Sequence, residues 1–367
     1  MKQLHIIFID FDDIKNPLLG AGQAKATVEV GSRLVKHGHK VTVYCSKYPG
    51  YKDRIENGMK YHHIGFATKN IKVNNLIFIL SLPFVVPKLK GDILIESFAA
   101  PISTLFSPLY TKIPVVALPS MFNAKEFSQK YHLPFYLVER FGIKFYKYIM
   151  PYSDVDSAKA VSLNPKINFK IIPQGVGKEF FEIRHKKPKH ILFLSRLDIG
   201  QKGVDLLLKA YAKVSDKIGY PLVIAGNGPD EKKISSLIND LGLNSKVSMV
   251  GPAYGEKKFN LISESIFVAF PSRHDELSLW SLEALASGMP MIMFDLPEAR
   301  WVSESASLKA KPFNLNEYSE LLVMATEKKL NLKMRRAARD LASKYDWESV
   351  AKDFENYFYE IIKIEKN

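Results

Sequence analysis

Short apolar runs recur along the chain, each bounded by Gly, Pro or charged residues and each followed by a stretch with helical spacing. Leu4–Ile9 reads as a strand, Leu18–Gly22 as a Gly-containing turn, and the residues through Leu34 as a helix. His39–Tyr44, β-branched and aromatic, predicts a second strand, and Ile93–Ile95 and Pro114–Leu118 predict further short buried ones. Strands spaced by helices imply right-handed βαβ crossovers and a parallel sheet.

Pro and Gly interrupt this pattern at Ile171-Ile-Pro-Gln-Gly-Val-Gly177, and a basic stretch, His185–Lys189, follows. The alternation then restarts. Strands are predicted at His190–Leu194, Leu222–Ala225, Val247–Val250, Ile266–Phe270 and Met291–Phe294, with helices at Val204–Val214, Asp230–Leu241 and Leu279–Ala286. Glu317–Ile364 reads as helical throughout. The fold class predicted is α/β, with two Rossmann-like doubly wound domains over 1–170 and 171–345. Two such domains joined by a hinge form a cleft at the carboxyl ends of their strands, where open parallel sheets bind ligands.

A length of 367 residues suits two such domains, and 47% hydrophobic with 25% charged residues is ample for two buried sheets. The single cysteine, Cys45, cannot form an internal disulfide, which points to a reducing compartment. The start, MKQLHIIFIDFDD, turns acidic too soon for a signal peptide. No run reaches the roughly 18–20 uninterrupted apolar residues of a spanning helix; Leu76–Val86 is about half that. The expectation is a cytoplasmic protein, with a peripheral place at the inner face of a membrane as an added reading.

The net charge of +14 is unevenly spread: residues 1–170 hold 23 Lys+Arg against 12 Asp+Glu, and the remainder carries only +3. The first half therefore either faces something anionic (a lipid surface, a lipid phosphate or nucleic acid) or carries plain solubility charge.

Three segments carry candidate chemistry. Ser195-Arg-Leu-Asp-Ile-Gly-Gln-Lys202-Gly203 follows a predicted strand and opens a helix at Val204. Negative charge builds up on a diphosphate as its bond to a sugar breaks, and Arg196 and Lys202 are cations suited to it. Ala225-Gly-Asn-Gly-Pro-Asp230, again between strand and helix, offers Gly226 and Asn227 for close backbone approach to a ligand, or simply for a tight turn. In the third, Pro271–Pro290, a strand leads into a loop and a helix that Gly288 stops. Asp275 and Glu283, eight residues apart, suit ribose and hexose hydroxyls, and the amides near Ser278 and Leu279 suit phosphate oxygens. Asp275 could instead serve the helix dipole, while Glu283, in the apolar LWSLEALA helix, requires a polar partner.

These segments, in this order and spacing, resemble the C-terminal domain of retaining GT-B glycosyltransferases of the glycogen-synthase-like, family 4 type, and the resemblance covers nearly the whole chain. It implies that Arg196 and Lys202 grip the donor diphosphate, that Asp275 lies near the transferred sugar, and that Glu283 holds the ribose. Asp275 stands where the family has Glu, and Glu276-Leu277-Ser278 replaces its Gly-Phe-Gly. Gly20-Ala21-Gly22 resembles the family's glycine loop near the donor phosphates, with Gly20 and Gly22 as donor contacts. Ile172-Pro-Gln-Gly-Val176 resembles the family's hinge. The final segment, about 346–367, resembles the helix that crosses back onto the N-terminal, acceptor-binding domain. Pro119-Ser120 stands where a sugar-contacting His is common. The resemblance also implies front-face transfer with retention, a UDP-sugar donor more than a GDP-sugar, no cofactor and no metal. Asp10-Phe-Asp12-Asp13 looks like a metal-binding Asp-x-Asp but falls in the first half, away from the donor segments.

On the acceptor side, Arg140, Lys144 and Lys147 fall at i, i+4 and i+7, a basic stripe on an aromatic-rich helix that could lie on an anionic membrane or simply face water. Ile71–Lys90 adds apolar bulk with flanking lysines. The partners expected are a nucleotide-sugar donor, a saccharide or lipid-linked acceptor and an anionic membrane surface, with no nucleic acid, since no RNA-binding or helix-turn-helix signature is present. The competing readings are a GT-B nucleotide-sugar epimerase-like enzyme and a non-catalytic basic lipid- or nucleic-acid-binding protein.

Overall fold

The apolar runs that open each half, β1 (His5–Ile9) and β9 (His190–Leu194), lie inside two separate sheets of a computed structural model that describes residues 2–19, 22–98, 101–119, 122, 124–275 and 277–366. Nearly every residue of both strands is buried, so their apolar side chains face helices on both sides of the sheet. Two compact units result: residues 1–174 with 347–367, and residues 175–346.

The first unit adds β2 (Lys40–Ser46), β3 (Arg54–Glu56), β4 (Met59–Ile64), β5 (Ile93–Phe98), β6 (Val115–Pro119), β7 (Tyr148–Ile149) and β8 (Asn168–Phe169). Among the described residues they form an eight-stranded sheet of order β3-β4-β2-β1-β5-β6-β7-β8, parallel except for β3 against β4. Its helices are α1 (Gly22–Lys36), α2 (Ile71–Val85), α3 (Ala124–Tyr131), α4 (Phe135–Gly142) and α5 (Asp154–Leu163). The second unit begins with α6 (Lys178–Phe181) and, after β9, places α7 (Ile199–Lys202) and α8 (Val204–Ala212) before β10 (Leu222–Ala225). Then come α9 (Glu231–Asp240), β11 (Val247–Gly251), α10 (Gly255–Ser263), β12 (Ser265–Phe270), α11 (Leu279–Ala286), β13 (Met291–Phe294) and β14 (Ser307–Ala310). The unit ends with α12 (Leu315–Met324) and α13 (Lys328–Ala342), after which α14 (Trp347–Ile364) returns to the first unit.

The second sheet, β11-β10-β9-β12-β13-β14, is parallel throughout and reads 3-2-1-4-5-6 in its own strand numbering. The order reverses between β9 and β12, and the loops leaving their carboxyl ends stand where doubly wound sheets bind ligands. The loop after β9 is Ser195–Asp198, and after β12 the described loop residues are Pro271–Asp275, Leu277 and Ser278.

Three sequence expectations are corrected. Glu317–Ile364 is three helices, broken at 325–327 and 343–346, because α14 leaves the second unit's core to pack on α1. The apolar run in the first unit is longer than Leu76–Val86: α2 and the 3-10 turn after it give one helical stretch, Ile71–Lys88, long and apolar enough to cross a bilayer by length and composition. Asn74, Phe78 and Leu82 are nonetheless buried against the protein, while Val73, Leu76, Leu80 and Phe84 form an exposed apolar face. Third, Arg140, Lys144 and Lys147 do not share one helix. α4 stops at Gly142, whose added Cβ would sit 1.9 Å from Thr104 Oγ1, and the chain then dives inward through buried Ile143 and Tyr146. The Tyr146 hydroxyl donates to the buried Glu96 carboxylate. Lys144 therefore lies in a 3-10 turn, and Lys147, just before β7, pairs with Glu365 at 3.2 Å.

Candidate active site

The loop after β9 is shaped by backbone contacts before any ligand is considered. Asp198 caps α7, its Oδ1 accepting from Gln201 N, and Gly203 ends that turn at φ 64°. A Cβ on Gly203 would meet the Pro271 carbonyl oxygen at 2.0 Å, so only glycine lets the loops after β9 and β12 touch. Arg273 fastens them: its guanidinium donates to Ile199 O at 2.6 Å and in bidentate fashion to Asp205 at 2.7 and 2.8 Å, while its backbone N–H donates to Gln201 O.

This frame brings Lys202 Nζ to 2.5 Å from Asp275 Oδ2, and the Ser272 hydroxyl donates to the same oxygen at 3.2 Å. Both side chains of the pair are largely buried. Arg196, by contrast, leaves 55% of its side chain exposed and is steadied by Gln201 Oε1 at 2.7 Å and Asp198 Oδ2 at 3.4 Å. A guanidinium has five N–H donors, so these contacts leave others for an incoming anion.

Glu283 lies on the inner side of α11 and is buried, and its required partner is Lys258 of α10. The Lys258 ammonium also sits over the Phe180 ring at 5.3 Å and the Trp280 ring at 5.1 Å, a low-dielectric cage for the pair. Ser278 caps α11 by accepting from Ser281 N, with Leu279 as the first helical residue. Gly226 and Gly228 have a structural duty: their Cβ atoms would overlap Ser195 O and Leu197 O at 1.9 and 2.4 Å, and Leu197 N donates to Asn227 O. They press the loop after β10 against the loop that holds Arg196, and the Asn227 side chain stays exposed.

The fold thus joins Lys202 to Asp275 and Glu283 to Lys258, two lysine–carboxylate pairs rather than two carboxylates side by side. Sequence reasoning missed Lys258, Arg273 and Ser272. Glu283 in an apolar helix signalled that a cation was needed, but which lysine serves depends on how α10 packs on α11.

In the first unit Gly22 opens α1; Gly20 and Ala21, with Ser120 and Glu276, lie outside the described residues. The Asp10-Phe-Asp12-Asp13 segment at the end of β1 is turned inward. Burial pushes the Asp10 carboxyl up to about 7, only partly offset by the hydroxyl of Thr27 at 2.6 Å. Burial would raise Asp13 too, but hydrogen bonds from Arg54 at 2.6 and 2.7 Å and from His63 more than offset it and hold it below the usual carboxylate range. Asp13, Cys45 and His63 bring one ligand atom each within 4.8 Å of one another. Arg54, His63 and Tyr48 already contact both Asp13 oxygens, and a metal ion there would face the guanidinium charge.

Comparison with known proteins bears on the fold and the family. Residues 177–340 match the family model described as glycosyl transferases group 1. An uncharacterized glycosyltransferase of Methanocaldococcus jannaschii is 26% identical over 54% of this chain and 49% of its own. The N-acetylgalactosamine-N,N'-diacetylbacillosaminyl-diphospho-undecaprenol 4-alpha-N-acetylgalactosaminyltransferase of Campylobacter jejuni is 27% identical over half of each. The chain spans about half the length of the curated relatives it matches. Among solved structures, sucrose-phosphate synthase from Thermosynechococcus elongatus superposes with a TM-score of 0.81 at 15% identity, covering 99% of this chain and 100% of that one. Anabaena HepE in complex with UDP and glucose gives 0.76 at 14%, covering 98% and 100%. Residues 177–340 thus match the glycosyl transferases group 1 family model, and the chain that carries them has the two-domain GT-B fold of glycosyltransferases.

Proposed function

We propose that this chain moves a hexosyl unit from a nucleotide-diphosphate sugar to a saccharide or lipid-linked acceptor, with retention of configuration and without a metal ion. The observation that carries the reading is the Lys202–Asp275 pair where the loops after β9 and β12 meet, with Arg196 exposed on the same loop as Lys202. An incoming diphosphate offers Lys202 a stronger partner than Asp275 and frees that carboxylate for the sugar. In the transfer the bond from the sugar C1 to the β-phosphate oxygen breaks, and the acceptor oxygen forms the new bond on the same face. The acceptor's proton passes to the departing diphosphate, whose charge Arg196 and Lys202 stabilise. Glu283 receives the ribose hydroxyls, and Ser278 and Leu279 offer amides to the phosphates.

UDP is the favoured carrier, because HepE holds UDP and glucose on the same fold. A lipid-linked acceptor is favoured by the undecaprenol-linked substrate in the Campylobacter relative's name. It is also favoured by the exposed apolar face of α2, which carries Lys69, Lys72, Lys88 and Lys90 at its two ends and fits the inner face of an anionic membrane. Exposed Arg140 and Lys144 would add to that face, and the first unit would bind the acceptor.

Nucleotide release from a panel of UDP- and GDP-hexoses, with and without EDTA, tests this. The expected result is EDTA-resistant release of UDP that falls in Arg196→Ala and in Glu283→Gln. Undiminished release in both variants would remove the site assignment. Isomerisation of the sugar without acceptor would support the epimerase-like alternative, and no turnover or binding of any donor would support a non-catalytic basic protein.

A further inference from the structure

A second, strongly basic hollow of about 780 Å³ opens near the amino ends of the second unit's central strands, away from the residues above. Arg184 and His185, in the segment leading into β9, line it together with Gly288 and with Arg335, Arg336 and Arg339 of α13. Its position follows from the strands. Arg335 donates to Ser265 O at 3.0 Å and Ile266 O at 2.9 Å, at the amino end of β12, whereas Asp275 follows that strand's carboxyl end. Likewise Arg184 precedes β9 and Arg196 follows it. Five or six strand residues separate the two sides by roughly 17–20 Å.

Four guanidiniums converge here, and among the described residues none pairs with a carboxylate. Arg335 spends its donors on Asn331 Oδ1 and two carbonyls, and Arg339 donates to Ile183 O at 2.9 Å. Arg184 and Arg336 are exposed. Glu182 is the one acidic residue of the lining. Gly288, at φ 73°, makes room: a Cβ there would meet Arg339 Nε at 2.9 Å. Burial first, and Arg339 second, push Arg335 down to about 10, as expected of a cation without a counter-charge. His185 is pushed down to about 4 by burial and by Arg335, so its ring is neutral at pH 7. Its Nε2 faces Ser287 O at 2.6 Å and must carry the hydrogen.

We propose that this hollow is a second anion site that takes a phosphorylated metabolite. Arginines read phosphate through paired N–H donors, and the volume exceeds what a bare phosphate fills. The inference does not depend on what the β9–β12 site does.

Isothermal titration of the full chain with inorganic pyrophosphate at low ionic strength tests it. All proteins carry Arg196→Ala and Lys202→Ala, so that the first site is weakened for anions. The expected result is saturable binding that becomes about tenfold or more weaker when Arg184→Ala and Arg336→Ala are added, since each charge-assisted hydrogen bond lost costs about a factor of ten. Both arginines are exposed, so the added changes leave the unfolding midpoint in place. Absence of saturable binding in the starting protein overturns the proposal, as does binding that Arg184→Ala and Arg336→Ala leave unchanged.

Discussion

The Lys202 ammonium lies 2.5 Å from the Asp275 carboxylate, a contact that spans 73 residues of sequence and joins the loops after β9 and β12. Under the proposed function, the lysine assigned to a phosphate is thus paired with the carboxylate assigned to a sugar. Asp275→Asn removes this internal competitor. It is expected to bind UDP a few-fold more tightly in calorimetry while transfer falls. Lys202→Met should lower kcat by about 10²–10³-fold, the usual cost of losing one transition-state donor. UDP binding that weakens in Asp275→Asn would show that the carboxylate does not restrain Lys202.

Gly203→Ala puts a Cβ 2.0 Å from the Pro271 carbonyl at a left-handed φ, and neither backbone can yield without moving its loop. A loss of about 1–3 kcal/mol is expected in chemical denaturation, together with loss of donor binding. Gly219→Ala, with open space around it, is the control and should be neutral or slightly stabilising. Equal stability of the two variants would contradict the close approach.

Breaking the Lys258–Glu283 pair from one side strands a buried charge. Lys258→Met should cost about 3–5 kcal/mol, and adding Glu283→Gln should return part of it. Urea denaturation of the single and double variants measures the coupling; additive losses would mean that the two groups act independently.

Asp10 gives a pH signature. Its folded value near 7 lies above its unfolded value of 3.8, so the folded state holds the extra proton between them. Stability from this group is complete below about pH 4 and declines as pH rises towards 7. Asp10→Asn keeps a neutral side chain at every pH, and should raise Tm by roughly 10 °C at pH 8 and leave it unchanged at pH 4. A Tm difference that does not depend on pH would show that Asp10 is ionised in the fold.

The apolar face of α2 is testable by charge. Leu80 and Phe84 are 61% and 73% exposed, so Leu80→Asp with Phe84→Asp should leave Tm unchanged while reducing sedimentation with anionic liposomes. Equal pelleting of both proteins, or none with either, would remove the membrane from the proposed function.

How much of this the sequence discloses follows from burial. β1, β2, β9 and β12 are apolar runs because helices or neighbouring structure cover both faces, and those runs are plain in the sequence. β4, reading MKYHHI, buries every second residue under polar names, and it was not anticipated. The basic stripe failed for a local reason: helical spacing was carried past Gly142, although buried Ile143 and Tyr146 sit where a continuing helix would face its cations. Lys202 and Asp275 were legible as types in loops after strands, but their partnership was not. It is made by Arg273 and Gly203, whose work is tertiary.

The return of α14 to the first unit has a consequence for synthesis. The helix is anchored there by Glu355, which meets His37 at 2.9 Å and His39 at 3.1 Å, and by the Tyr359 hydroxyl on Lys2 O. As the chain leaves the ribosome, α1 must wait with its α14-facing side bare while the 310 residues between Lys36 and Trp347 are made. The second unit, continuous in sequence, can close first. The order of birth and the order of completion are therefore reversed, and the first unit is the one that a chaperone would find open.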